Sequence, residues 1–172
     1  MWTYLNDETP KIKYTFLDAT DNLLEQLTKD IKNTGDKQSG TTNVYAHMTD
    51  WRTRLRSFDA LSKLVFNALD IDPKTVEDFQ HWGLLYKDND CAKPHAHDPA
   101  EYAFVFYIDA PEGSGEIHFH DIDYTLTPQK NMLVAFEGTA IHEVYPNTIS
   151  GIERVATAGN IVLSVDNVQK IR

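Results

Sequence analysis

The chain has 172 residues, 41% of them hydrophobic, and a formal net charge of −10. That length can bury its own core, so residues 1–172 are expected to form a single domain. The acidic balance argues against a non-specific binder of nucleic acid or of anionic membranes, because such surfaces need clustered Lys and Arg.

The opening MWTYLNDETP has no basic segment followed by an apolar run. No apolar run approaches the ~18 residues that cross a bilayer, so a cytoplasmic protein is expected. Residues 11–17, KIKYTFL, alternate as a short strand does. Asp21 reads as an N-cap, and Leu23, Leu24, Leu27 and Ile31 make one face of a helix over 21–33 that Gly35 ends. Residues 36–50 are rich in Ser, Gly, Thr and Asn and predict a loop. In WRTRLRS, Arg52, Arg54 and Arg56 read first as a solvated segment balancing acidic neighbours, and second as a contact for an acidic partner. A second helix over 57–70 has Phe58, Leu61, Leu64, Val65, Ala68 and Leu69 as its buried stripe. Residues 1–74 therefore predict a helical part packed outside a sheet.

From Thr75 the helical period stops. Strands are expected near 75–86, 101–109, 115–120, 123–127, 131–137, 140–146 and 153–165, with turns at PEGSG and TPQKN. So many short strands predict a mainly β sandwich, jelly roll or barrel over 75–165, flanked by the helices. AFVFYI and NMLVAF lack alternation, which predicts strands buried on both faces. The one cysteine, Cys91, allows no disulfide within the chain and suits a reducing compartment.

His95 and His97 sit one residue apart before a strand-like run. In a strand both would face one way, and His142 could reach the same spot from a neighbour. Imidazole suits zinc, copper, iron and nickel, so a metal site inside a barrel is expected. His118 and His120, in GEIHFHD with Glu116 beside them, form a second such pair, read as a polar outer row opposite Ile117 and Phe119 or as cavity lining. His47 and His81 are lone and read as surface or hydrogen-bonded residues. Arg154 precedes VATAGNIVL, a buried strand by composition. An arginine facing inward needs an anion, either a protein carboxylate or a dicarboxylate ligand.

The order of a tyrosine (Tyr86), a His-x-acid-like pair, a distal His and an Arg a dozen residues later resembles the Fe(II)- and 2-oxoglutarate-dependent oxygenases. HAHDPAEYAFVFYI, LTPQKNMLVAFEGTAIHEVYPN and GIERVATAGNI are similar to a group of small oxygenases of bacteria and cyanobacterial phages. The likeness is strong over roughly 75–165 and weaker at TTNVYAHMTDW. It implies a double-stranded β-helix, a jelly-roll, cupin-like barrel. It implies His95, His97 and His142 as iron ligands, Arg154 on the distal carboxylate of 2-oxoglutarate, and Tyr86 helping to hold that cosubstrate. It also implies hydroxylation of a second, unidentified substrate, small molecule or peptide, with 2-oxoglutarate converted to succinate. His97 departs from the superfamily, which has Asp or Glu there; Asp98 or Glu101 is the alternative source of a carboxylate. His95, His97, Glu101 and His142 also match the cupin ligand order in part. A cupin-like metal protein not using 2-oxoglutarate and a non-catalytic binding module are the competing readings.

Overall fold

The computed structural model describes residues 1–37 and 42–164. In chain order the strands are β1 (Thr3–Tyr4), β2 (Ile12–Phe16), β3 (Asp36–Lys37), β4 (Val44–Tyr45), β5 (His47–Met48), β6 (Val76–Lys87), β7 (Cys91–His95), β8 (Tyr102–Asp109), β9 (Ile117–Phe119), β10 (Tyr124–Leu126), β11 (Met132–Glu137), β12 (His142–Val144) and β13 (Glu153–Leu163). The helices are α1 (Asp21–Thr34) and α2 (Arg56–Leu69). One sheet has the order β1-β2-β11-β8-β13-β6-β5-β3 and the other β10-β9-β12-β7-β4. From β6 onward the chain passes back and forth between the two sheets, which is jelly-roll connectivity.

Period-two alternation assigns each side chain to a layer. On the larger sheet Trp82, Leu84, Tyr86, Ala103, Tyr107, Val134, Phe136, Ala156 and Ala158 face the smaller sheet, which answers with Val44, Ala92, Ile117, Phe119 and Leu126. The intervening residues, among them Leu85, Phe104, Phe106, Leu133 and Val155, face Leu24, Leu27 and Ile31 of α1 and Phe58, Leu61 and Val65 of α2. β8 and β11 are thus covered on both sides, which explains their unbroken apolar sequences. Gly83 lets α1 and α2 approach β6: a Cβ there would lie 2.3 Å from Ile31 Cγ1 and 3.2 Å from Phe58 Cζ.

The N-cap of α1 is Thr20 rather than Asp21. The Thr20 hydroxyl accepts from the Leu23 N–H at 3.3 Å, and Asp21 falls in the first turn, where a negative charge suits the helix dipole. The expected loop over 36–50 contains β3, β4 and β5, while residues 38–41 lie outside the described residues. These short strands escape local pattern because their partners are remote: Met48 pairs with Leu84 and Val44 with Ala92. The last position of the strand expected over 153–165 also lies outside the described residues. β7 was not expected, because Pro94 interrupts its strand signal. Pro94 falls in the irregular stretch between the His95–His142 and Ala92–Val144 pairs, where a missing N–H is tolerated.

Candidate metal centre

β12 sets His142 directly opposite His95, the last residue of β7, and their ring centroids are 4.4 Å apart. His97 lies two residues past the strand, in a turn. There its N–H donates to Gly138 O at 2.6 Å and its carbonyl accepts from the Ala100 N–H at 2.9 Å. The turn carries its ring to 5.0 Å from His95 and 5.1 Å from His142. Gly138 permits this approach, since a Cβ there would stand 2.0 Å from Ala100 O. His95 therefore ends a strand of its own ahead of β8, and His97 converges through a turn rather than by same-face alternation.

One nitrogen from each ring lies within 4.8 Å of the others. His95 Nδ1–H donates to Lys93 O at 2.6 Å and His142 Nδ1–H donates to Ala140 O at 3.0 Å. A carbonyl can only accept, so both rings keep Nε2 unprotonated and free for a ligand bond. Burial lowers the pKa of all three histidines, that of His97 to about 4, so they are neutral at neutral pH. Phe136, at 4.6 Å from His142, and Trp82, at 6.4 Å from His97, form apolar walls that restrict water.

No carboxylate joins this cluster among the described residues. Asp98 is exposed. Glu101 accepts from the Leu163 N–H at 2.7 Å and fastens the end of β13. The four-ligand cupin pattern therefore does not assemble. His118 and His120 belong to the other face of the small sheet: Ile117 and Phe119 are fully buried beside them, His118 bonds Thr125 Oγ1 at 2.9 Å, and His120 meets Glu143 at 3.0 Å. His47 reaches Ile31 O at 3.2 Å, and His81 is buried against Ser62 at 3.0 Å. Arg52 is paired with Asp78 through both carboxylate oxygens.

Arg154 is 0% exposed. It sits opposite Tyr86 on the β6–β13 ladder, at the end of the inner row that continues through Ala156 and Ala158. Nη1 donates to Gly115 O, whereas Nε and Nη2 have no partner. Two phenols lie close to it: the Tyr86 ring is 4.2 Å from Cζ, and Arg154 is the charge acting on Tyr107; Asp90 acts on the guanidinium as a weaker, third charge. The Tyr107 hydroxyl is buried with no partner. Burial raises its pKa to about 12 and raises that of Tyr86 further, so both phenols keep their protons. A buried guanidinium with two unused donor nitrogens and an unused phenol beside it is a ready anion receptor. Sequence reading missed Tyr107, because within YAFVFYI it reads as another core aromatic. Only its register opposite Ala156, two residues from Arg154 on the same face of β13, brings it to this group.

A cleft of about 510 Å³ opens beside His97 and is bounded by Trp51, Gln80, Asp98 and Asn160. Trp51 is 39% exposed and packs edge-on against Trp82 at 4.6 Å.

No protein-family model matches the sequence, and no curated protein matches it. Solved structures do. A prolyl-4-hydroxylase from Pseudomonas putida is similar over 91% of this chain and 94% of its own, with 17% identity and a TM-score of 0.64. The viral collagen prolyl hydroxylase of Paramecium bursaria Chlorella virus-1, solved with 2-oxoglutarate, covers 87% of this chain and 94% of its own at 15% identity and TM-score 0.66. A Trichoplax adhaerens prolyl hydroxylase, in complex with a hypoxia inducible factor peptide fragment, covers 94% and 87% at 10% identity and TM-score 0.68. The fold is the double-stranded β-helix. At 10–17% identity the likeness to these prolyl hydroxylases shows the fold. No helix among the described residues is long and apolar enough to cross a membrane.

Proposed function

We propose that this protein is an Fe(II)- and 2-oxoglutarate-dependent oxygenase that hydroxylates a second substrate. The observation that carries the reading is Arg154: a fully buried guanidinium with Nε and Nη2 unpartnered, on the inner face of a barrel that also holds three convergent histidines. Keeping such a group without an anion costs several kcal/mol by general estimate. A dicarboxylate reaching from the histidines to Arg154 offsets that cost.

The donor set fits the metal. Neutral imidazoles suit Fe(II), and three protein ligands leave open positions for other ligands. In this reading His95, His97 and His142 hold the ion through ring nitrogens, with His95 and His142 oriented by Lys93 O and Ala140 O. Bound Fe(II) would supply the redox chemistry that couples conversion of 2-oxoglutarate to succinate and CO2 with hydroxylation of a C–H bond by dioxygen.

The chain's own groups bind and orient. Arg154 pairs with the distal carboxylate through its free donors, and the protonated Tyr107 hydroxyl donates to the same group. Tyr86 helps to hold the cosubstrate, the part that the sequence likeness implies for it, by laying its ring face on the guanidinium in a cation–π contact. Ala156 and Ala158 leave room on the inner face of β13, and Trp82 and Phe136 limit water around the histidines. The cleft beside His97 seats the substrate, with Trp51 as its exposed aromatic wall.

The test is an anaerobic titration with Fe(II) followed by 2-oxoglutarate. A visible metal-to-ligand charge-transfer band that appears only when both are present is the expected result. Its absence, with Fe(II) bound, would favour a metal protein that does not use 2-oxoglutarate.

A further inference from the structure

We propose that Gln80 and Asn160 form a docking pair for an amide group of the second substrate, a specificity role that rests on the oxygenase reading above. Polar side chains gather at two places on the inner face of the large sheet. One holds Arg154, Tyr86 and Tyr107. The other lies farther along the same row of β13, beyond Ala156 and Ala158. At about 3.3 Å per residue it is roughly 20 Å from Arg154, too far for the same dicarboxylate to serve both. There Asn160 pairs with Gln80 across the β6–β13 ladder, and Ala158 pairs with Trp82. Asn160 Nδ2 donates to Gln80 Oε1 at 3.0 Å. Asn160 Oδ1 is buried with no partner, and so is Nε1 of Trp82 beside it. Gln80 Nε2 makes no hydrogen bond among the described residues.

The pair thus keeps one acceptor and one donor unused, and a buried acceptor left unbonded is costly. An amide answers both: its N–H donates to Asn160 Oδ1 and its carbonyl accepts from Gln80 Nε2. Gln80 and Asn160 line the cleft that reaches His97, so a substrate held there by its amide lies beside the histidine centre. Trp51, Pro99 and Val162 give the same cleft an apolar flank, and a few placed polar groups in such a setting fix a ligand's orientation. A nucleobase also offers donor and acceptor edges, but charge decides against a nucleic acid. Asp98 is exposed on the cleft with no ion pair among the described residues, and Arg52 is taken by Asp78 at 2.8 Å. A phosphodiester would meet an unpaired carboxylate and no free cation among these lining residues. A peptide bond and a free carboxamide share the amide chemistry and carry no charge.

Probes of nearly one shape test the pair. Benzamide is a primary carboxamide, N-methylbenzamide mimics a peptide bond, and methyl benzoate keeps the carbonyl but lacks the N–H. Cytidine stands for a nucleobase. Each is titrated by ligand-detected NMR into the wild type, Asn160→Leu and Gln80→Met, all loaded with Zn(II) and saturating 2-oxoglutarate. The wild type should bind at least one amide about tenfold more tightly than the ester. In Asn160→Leu that preference should vanish while 2-oxoglutarate affinity stays at the wild-type value, a split that a merely structural residue would not produce. Gln80→Met should weaken amide and ester alike by about fivefold, since both use the carbonyl. Preference for N-methylbenzamide assigns the group to a peptide bond, and preference for benzamide alone assigns it to a free carboxamide. Equal binding of amides and ester by the wild type, or no binding of either, overturns the docking role. So does an amide preference that survives in Asn160→Leu. Binding of cytidine alone, lost in Asn160→Leu, overturns it in favour of a nucleobase. These results leave the oxygenase reading intact. That reading falls if the Zn(II)-loaded wild type takes up no 2-oxoglutarate, and the docking role falls with it.

Discussion

Arg154 and Tyr86 occupy paired positions on adjacent strands, and the guanidinium carbon of one lies 4.2 Å from the ring centroid of the other. The ring face holds the guanidinium plane without using its edge donors. Nε and Nη2 therefore stay available in the barrel. Arg154→Ala should weaken 2-oxoglutarate binding by about a hundredfold or more and leave metal binding intact. Arg154→Lys should keep a remnant, since it offers a point charge and not a fork. Tyr107→Phe should cost about fivefold, the worth of one hydrogen bond. Isothermal titration in the presence of Zn(II), which is redox-inert, measures all three, and equal affinity throughout would make Arg154 structural.

The metal assignment separates the two His-x-His pairs. His95→Ala and His142→Ala should each abolish stoichiometric Fe(II) or Co(II) binding, because each removes one of the three nitrogens that converge among the described residues. His118→Ala and His47→Ala should bind as the wild type does, since those rings face Thr125 and Ile31 O. Metal content after dialysis is the measurement, and retention of the ion by His95→Ala would move the site elsewhere.

His81 predicts an acid-sensitive core. It lies among Phe58, Phe79 and Phe104, 2% exposed, and burial lowers its pKa from 6.5 to about 3. The unfolded chain takes up this proton below pH 6.5 and the folded one does not. Its contribution to stability is therefore complete above pH 6.5 and is lost as pH falls toward about 3. His81→Phe should lessen the decline below pH 6.5, by a few kcal/mol at most. The Ser62 hydroxyl donates to Phe58 O at 2.8 Å and so should keep a partner in that variant. Urea unfolding at a series of pH values compares the two proteins; parallel curves would show that His81 is protonated in the fold.

Gly83 and Ile31 test the seating of α1. Gly83→Ala brings a methyl to 2.3 Å from Ile31 Cγ1, so stability should fall by about 1–3 kcal/mol. Adding Ile31→Ala removes the clash, and the double variant should be more stable than the sum of the two single effects. Thermal or urea unfolding of the four proteins gives the coupling directly.

Much of the site was legible because its chemistry is carried by scarce residue types. His95, His97, His142 and Arg154 stood out by identity and order, and β8 and β11 by unbroken apolar runs. β7 was not legible, because Pro94 broke the pattern that would have marked it. Nor was Tyr107, because an aromatic within a buried run has no local feature that separates a packed ring from a hydroxyl aimed at an anion. Glu101 failed in the opposite sense: its spacing from His95 matched a ligand pattern, but its carboxylate is taken by the Leu163 N–H.

Local periodicity and composition by themselves determined both helices and the longer strands, which faces are apolar, and that a histidine cluster with a distant arginine had to be explained. Those properties depend on residues close in sequence. The convergence of His97 through the Gly138 contact, the exclusion of Glu101 and the turning outward of His118 and His120 were decided only by the tertiary structure. So was the meeting of Tyr86, Tyr107 and Arg154. The faces of His118, His120, Tyr86, Tyr107 and Arg154 depend on strand register, which a shift of one residue would reverse, and the places of His97 and Glu101 depend on contacts with Gly138 and Leu163, remote in the chain.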